Sequence, residues 1–336
     1  MLECNFKYLK PKLRVAVIYK KNNIFFSGSH FDMSLYYFVL KALKRNNEID
    51  VTYFPSENVF DATILKDRFD VILLPDNTPW ALPETMNGIE DLKIPVIAKC
   101  GDPHEVETRK FDPYVFHERY KIDYYFNFMP KSYFYKYYPK EFKYKEIFWC
   151  LESSLYENVS PFRNRINDKI LLTGNVGKTS WKSKMANKIL NPKNSAHLFY
   201  NLRTKCRKLE YVDFTPIKNG KHVNEDYPSY LSKYCASIAA AGFYPVIKYF
   251  EIPAAGCLTF MEVTEKNDCK ILGFKDGKNA IFINEDNYKE KFLEFIEDSN
   301  NPKWENIANA GREYALQELN NDVAVKDIIS LAYQLQ

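Results

Sequence analysis

The segment Lys248-Tyr249-Phe250-Glu251-Ile252-Pro253-Ala254-Ala255-Gly256 sets one cation and one carboxylate in an otherwise apolar stretch that ends on small residues. A carboxylate can accept hydrogen bonds from two vicinal hydroxyls, and a desolvated setting strengthens them. On a helix Lys248 and Glu251 face the same way, so a plain structural ion pair is the alternative use of the two. Upstream, Leu172-Thr173-Gly174-Asn175-Val176-Gly177-Lys178-Thr179 follows an apolar run and contains half of a nucleotide-triphosphate loop, Gly-Lys-Thr. The other half fails, because Leu172 stands where the pattern requires its first glycine. In the first half of the chain, Gly101-Asp102-Pro103-His104 offers Asp102 or His104 as a base able to deprotonate a hydroxyl. Asp before Pro equally well starts a turn. Gly28, Ser29 and Asp76 occupy two more loops that follow apolar runs and are candidates for lining a cleft.

Three motifs recur in a fixed order over the final third of the chain. The Lys248–Gly256 segment is followed by the apolar run 257–261, then the turn Gly273-Phe274-Lys275-Asp276-Gly277, then Ile307-Ala308-Asn309-Ala310-Gly311-Arg312-Glu313. This order resembles the nucleotide-sugar half of glycosyltransferases built from two Rossmann-like domains, the GT-B architecture, in its spore-maturation-type branch. The resemblance implies that Glu251 binds the ribose hydroxyls of a donor such as a UDP- or GDP-sugar. It also implies that Gly174 and Lys248 face the donor diphosphate with Lys178 nearby, and that Gly256, Asp276 and Gly277 belong to the donor pocket. Lys248 and Asp102 or His104 are then the candidate catalytic groups, the first neutralising the leaving diphosphate. Many relatives carry a second glutamate that contacts the transferred sugar, and Phe243 stands at that position here, so recognition of the sugar does not carry over. The implied acceptor is a hydroxyl of a glycan or a lipid-linked glycan.

No two Asp stand two residues apart, so the Asp-x-Asp triplet that clamps a divalent cation on a diphosphate is missing from the sequence, and neither a metal nor another cofactor is expected. Two rival readings remain: a phosphate-transferring, nucleotide-triphosphate-dependent enzyme using Lys178, and a catalytically silent nucleotide-sugar-binding protein, which Phe243 would suit.

These residues need elements to hold them. Apolar runs at 13–19, 51–54, 71–74, 96–98, 124–128 and 146–150 alternate with helical patterns, which predicts a parallel α/β sheet whose ligands collect at the carboxyl ends of its strands. A polar lapse over 151–168 reads as a hinge. Further strands at 169–173, 209–212, 258–261 and 280–283 predict a second doubly wound unit, with helical faces at Lys184, Met185, Ile189 and Leu190, at 288–296 and at 304–311. The expected division is an acceptor domain over 1–152, a donor domain over 153–318, and a terminal helix over 319–336 that crosses back to the first domain. The weakly polar stretch 234–247 is too short to span a bilayer and reads as a buried helix or helix pair.

The chain has 336 residues, 47 basic against 43 acidic, for a net charge of +4, so no nucleic-acid partner is expected. Seven cysteines form no Cys-x-x-Cys pair and suit free thiols in a reducing compartment. The first residues lack the apolar block of a secretory signal, which gives a cytoplasmic expectation. The stretch 120–149 is dense in Tyr, Phe and Lys. Amphipathic packing is its first reading, with peripheral membrane contact second because lipid-linked acceptors would call for it.

Overall fold

The computed structural model describes residues 11–21, 39–76, 81–108, 112–177, 180–182, 185, 196–216 and 226–336. Gly28, Ser29 and Lys178 lie outside these residues, as do Lys184, Ile189 and Leu190.

Thirteen strands are described: β1 (Leu13–Lys20), β2 (Ile49–Ser56), β3 (Val59–Asp61), β4 (Val71–Leu74), β5 (Thr85–Asn87), β6 (Val96–Lys99), β7 (Tyr124–Asn127), β8 (Tyr144–Glu146), β9 (Ile166–Thr173), β10 (Val212–Thr215), β11 (Tyr234–Ala239), β12 (Leu258–Glu262) and β13 (Ile281–Ile283). They form a six-stranded sheet in the order β2-β1-β4-β6-β7-β8, a five-stranded sheet in the order β10-β9-β11-β12-β13, and a small β3-β5 pair. Every pairing is parallel. Parallel sheets are covered on both faces, so their strands read as continuous apolar runs; Val15, Ala16, Val17 and Ile18 are all buried. Helices used below are α1 (Lys131–Phe134), α2 (Asn201–Cys206), α3 (Asp226–Leu231), α4 (Lys248–Ala254), α5 (Tyr288–Glu297), α6 (Pro302–Glu318) and α7 (Asn321–Gln334).

Three expectations need correction. Residues 234–239 form β11, the middle strand of the second sheet, and not a helix. Its side chains Cys235, Ala236, Ser237 and Ala239 are small and buried on both faces, a pattern whose periodicity is the same for a buried strand and a buried helix. Ser237 is satisfied there by donating to the Leu171 carbonyl at 3.0 Å. The strand expected at 146–150 is displaced to 144–146, and the one expected at 209–212 begins at Val212.

The aromatic stretch 120–149 packs inward. Phe134 stacks on Tyr138 and Tyr144 with centroids 4.5 and 4.1 Å apart. Tyr133 meets Tyr244 at 4.6 Å and Phe128 meets Phe250 at 5.7 Å, which joins the two sheets' surroundings through rings. Terminal α7 lies against the first sheet, where Ile328, Ile329 and Ala332 line a small apolar cavity with Leu13, Val71 and Ile97. Asn321 Oδ1 accepts from the Cys150 amide at 3.0 Å, and Arg45 bridges the carboxylates of Glu152 and Asp322, so the start of α7 is tied to residues 150–152. No described helix is long and apolar enough to cross a membrane.

The last two sequence motifs pack against each other. A Cβ on Gly311 of α6 would sit 2.4 Å from the Asn279 carbonyl oxygen, and one on Gly273 would sit 2.1 Å from Tyr314 Oη. Gly311→Val is therefore expected to destabilise the fold by about 2 kcal/mol, seen as a lower urea midpoint, because the opposing atom is backbone and cannot swing away. A midpoint matching that of the parent protein would contradict this packing.

Candidate functional site

In the second sheet, β10 and β11 lie on opposite sides of β9, so chain connections leave in opposite directions at the β9/β11 boundary. Crevices outside the carboxyl ends of strands at such a switch point collect ligands. Two segments emerge there: residues 174–177 after β9, and residues 240–247 after β11, which lead directly into α4.

Gly174 takes a φ of +90°, a left-handed conformation suited to glycine, and its amide donates to the Thr215 carbonyl at 3.1 Å. A Cβ there would fall 2.5 Å from Arg203 Nη2 and 2.9 Å from Lys248 Cε. The loop backbone thus touches two cations that come from α2 and α4. Arg203 is 3% exposed, donates through Nη2 to the Thr173 carbonyl, and has its Cζ 4.7 Å from the Tyr200 ring centroid. Its Nε has no hydrogen-bond partner among the described residues. Gly177 donates its amide to Thr204 Oγ1 at 2.8 Å, so the loop amides at 174 and 177 are both spent inside the protein.

Lys248 and Glu251 share the buried first turn of α4, but the structural ion pair is not what forms. Lys248 Nζ donates to Tyr227 Oη at 2.6 Å and lies 4.7 Å from that ring's centroid. Glu251 Oε2 is buried with no hydrogen-bond partner among the described residues. Burial pushes the Glu251 carboxyl well above its usual range, against the pull of Lys248. The same loss of water pushes Lys248 down, and the Arg203 charge adds to this while Glu251 opposes it. A carboxylate held off water with an unused oxygen, one helical turn from Lys248, which meets Arg203 at Gly174, can bind a ligand that presents hydroxyls on one side and an anion on the other.

The other sequence candidates separate. Gly256, at a φ of +70°, ends the Glu251 helix, and its carbonyl accepts from Arg165 Nη1 at 2.8 Å. It stands at the opposite end of α4 from Lys248. Asp276 is exposed and accepts from the Phe282 amide of β13 at 2.8 Å, and Gly277 is exposed at a φ of +66°. No hydrogen bond or ion pair among the described residues links Asp276 or Gly277 to Gly174, Lys248 or Glu251. Asp76 is buried at the end of β4 in a 2.8 Å ion pair with Lys99. Asp102 is exposed, and its charge helps to hold two phenols above their usual range, Tyr244 behind burial and Tyr133 behind burial and its neighbour Tyr137. That places the Asp102 loop beside the segment that leads from β11 to α4, with His104 half-buried in the same loop. Among the described residues, no three His, Cys, Asp or Glu side chains converge as a metal site would require.

Sequence reasoning missed Arg203, Tyr227 and Thr173. Arg203 stands in Arg203-Thr204-Lys205-Cys206-Arg207-Lys208, where a basic run reads as a solvated face. Only the approach of β9 turns one of these cations inward.

No known family profile matches the sequence, and no curated protein matches it. Solved structures do match in fold. Over 96% of this chain and all of theirs, the matches include HepE of Anabaena in complex with UDP-glucose, at 11% identity and a TM-score of 0.55, and an alpha-glucosyltransferase in complex with UDP-glucose and DNA containing an abasic site, at 10% and 0.57. A sucrose-phosphate synthase from Thermosynechococcus elongatus aligns over 96% of this chain and 99% of its own at 12% identity and a TM-score of 0.57. At such identities the likeness is one of fold, and the fold is the GT-B architecture of two Rossmann-like parallel sheets.

Proposed function

We propose that this protein is a glycosyltransferase that binds a nucleotide sugar at the β9/β11 switch point and passes the sugar to a hydroxyl acceptor. In this reading residues 153–318 form the donor domain, residues 1–152 the acceptor domain, and residues 319–336 the helix that returns to the first. One observation carries it: Lys248 and Arg203, neither ion-paired within 4.0 Å to a carboxylate among the described residues, meet at Gly174, and Lys248 stands one helical turn before Glu251, whose Oε2 is unbonded. The HepE and alpha-glucosyltransferase neighbours, which carry UDP-glucose, add weight to the choice of ligand.

Each residue then has a task. Glu251 accepts from the ribose hydroxyls. Lys248 and Arg203 neutralise the diphosphate, whose charge grows as the bond from the anomeric carbon to the phosphate oxygen breaks. Because the amides of Gly174 and Gly177 are already used, that neutralisation falls on the two side chains. The acceptor oxygen bonds to the anomeric carbon, and Asp102 or His104 receives its proton. Transfer proceeds without a bound metal, since the two cations do a metal's work on the leaving group. The acceptor is a glycan or lipid-linked hydroxyl.

The test is a titration of the wild-type protein with UDP-, GDP-, ADP- and dTDP-sugars, repeated with Glu251→Gln. The best donor should bind about tenfold more weakly to the variant, since a neutral amide accepts less strongly than a carboxylate. Equal donor affinity in the two proteins rejects the ribose role. No binding of any nucleotide sugar to wild type rejects the whole reading.

A further inference from the structure

Tyr227 is 2% exposed and lies in α3, which has no part in the reading above. Its hydroxyl sits between Thr173 Oγ1 at 2.7 Å and Lys248 Nζ at 2.6 Å. An ammonium donates to it, so its own O–H turns to Thr173, and the chain Lys248 to Tyr227 to Thr173 is satisfied throughout. Thr173 ends β9, and its carbonyl takes the Arg203 Nη2 bond. The hydroxyl is thus anchored to the same strand end that positions the second cation.

We infer that Tyr227 is a positioning residue for diphosphate binding: it holds the Lys248 ammonium beside Gly174 and away from Glu251, with two N–H donors left for a nucleoside diphosphate. This rests on the nucleotide-sugar reading of the site. The physical reason is the neutrality of a phenol. Lys248 has a flexible four-carbon stem, and the nearest opposite charge on its helix is Glu251. A carboxylate in place of Tyr227 would hold the ammonium equally well but would cancel its charge and repel phosphate. A phenol hydroxyl takes one of the three ammonium protons and leaves the charge uncompensated, while its ring adds cation–π attraction at 4.7 Å.

The arrangement also makes diphosphate binding depend on pH. Among the described residues, the groups facing Lys248 are Arg203 from α2, Tyr227 from α3 and Glu251 from its own helix, while Cys150 and Tyr156 feel the Glu251 charge and Tyr156 also that of Tyr227. Burial holds the free ammonium well below its usual range, so affinity for a diphosphate should fall as pH rises through the mildly alkaline range. Removing the hydroxyl takes away one acceptor that favours the charged form. The fall should then begin at lower pH.

The experiment uses the full chain as wild type, Tyr227→Phe and Thr173→Val. Each is titrated calorimetrically from pH 6 to 9 with whichever of UDP, GDP, ADP and dTDP binds wild type, and melted by circular dichroism. Tyr227→Phe keeps the ring in the core, should bind the diphosphate about tenfold more weakly at pH 8, and should shift the alkaline fall in affinity to lower pH. Thr173→Val loosens the same hydroxyl and should cost about threefold. A purely structural Tyr227 would lower the melting temperature and leave the affinity and its pH profile unchanged, and that result overturns the inference. Should Tyr227→Phe not fold, unaltered affinity in Thr173→Val overturns it as well. If wild type binds none of the four diphosphates, the nucleotide-sugar reading has failed first, and the failure shows in the wild type and not in the variants.

Discussion

A Gly174→Ala protein is expected to bind nucleoside diphosphates at least about 100-fold more weakly than wild type, a loss near 3 kcal/mol. The added methyl would lie 2.5 Å from Arg203 Nη2 and 2.9 Å from Lys248 Cε. Arg203 has little freedom to yield, because it is buried and bonded to the Thr173 carbonyl. Lys248 is held at its ammonium by the Tyr227 hydroxyl. One of the cations must therefore leave its place, or the loop must move off both. The φ of +90° adds backbone strain of about 1–2 kcal/mol for a residue with a Cβ. Calorimetric titration with a nucleoside diphosphate measures the loss, and a circular-dichroism melt confirms that the variant folds. A folded variant with wild-type affinity would show that the anion does not bind where these three residues meet.

Glu262→Gln is expected to stabilise the protein at pH 8 by on the order of 3 kcal/mol. Glu262 ends β12, is 6% exposed, and is pushed up to about 7, first by burial and then by the charge of Glu285, with a backbone hydrogen bond from Ala241 and the charges of Lys266 and Arg203 opposing. An acid whose folded value lies above its ordinary 4.5 binds its proton more tightly in the folded state. Its contribution is then fully present below about 4.5 and is lost as pH rises through about 7. Glutamine keeps the neutral shape and has nothing to lose. Urea unfolding of both proteins across pH 4 to 8 should show a gap that opens between about 4.5 and 7 and stays level above. A gap of constant size at pH 4.5 and pH 8 would mean that Glu262 is not buried as an acid.

The architecture was legible in the sequence because parallel strands covered on both faces must be apolar throughout. β1, β4, β6, β7, β9, β12 and β13 all overlap runs visible in the sequence. β11 was not legible: four small buried side chains suit a strand or a helix equally, and only the neighbours on either side, β9 and β12, made it a strand. Glu251, Lys248 and Gly174 could be picked out because each breaks a local pattern, a charge on an apolar helix or a glycine at a strand end. Asp276 and Gly277 could be picked out for the same reason, yet their bonds go to Phe282 of β13 and to the Ala280 carbonyl and not to the Gly174 site.

By itself, then, the sequence determined two parallel sheets and a single helix bearing a carboxylate and a cation, since strand periodicity and helical spacing are local properties. The tertiary structure alone decided the partners. Lys248 could have turned to Glu251 on its own helix, but Thr173 at a strand end holds Tyr227 where it takes the ammonium instead, and Arg203 is drawn from a basic run to the same strand end. Burial of all these groups at one switch point raises the penalty for leaving a charge unmatched, and no local pattern records which side chains will share that burial.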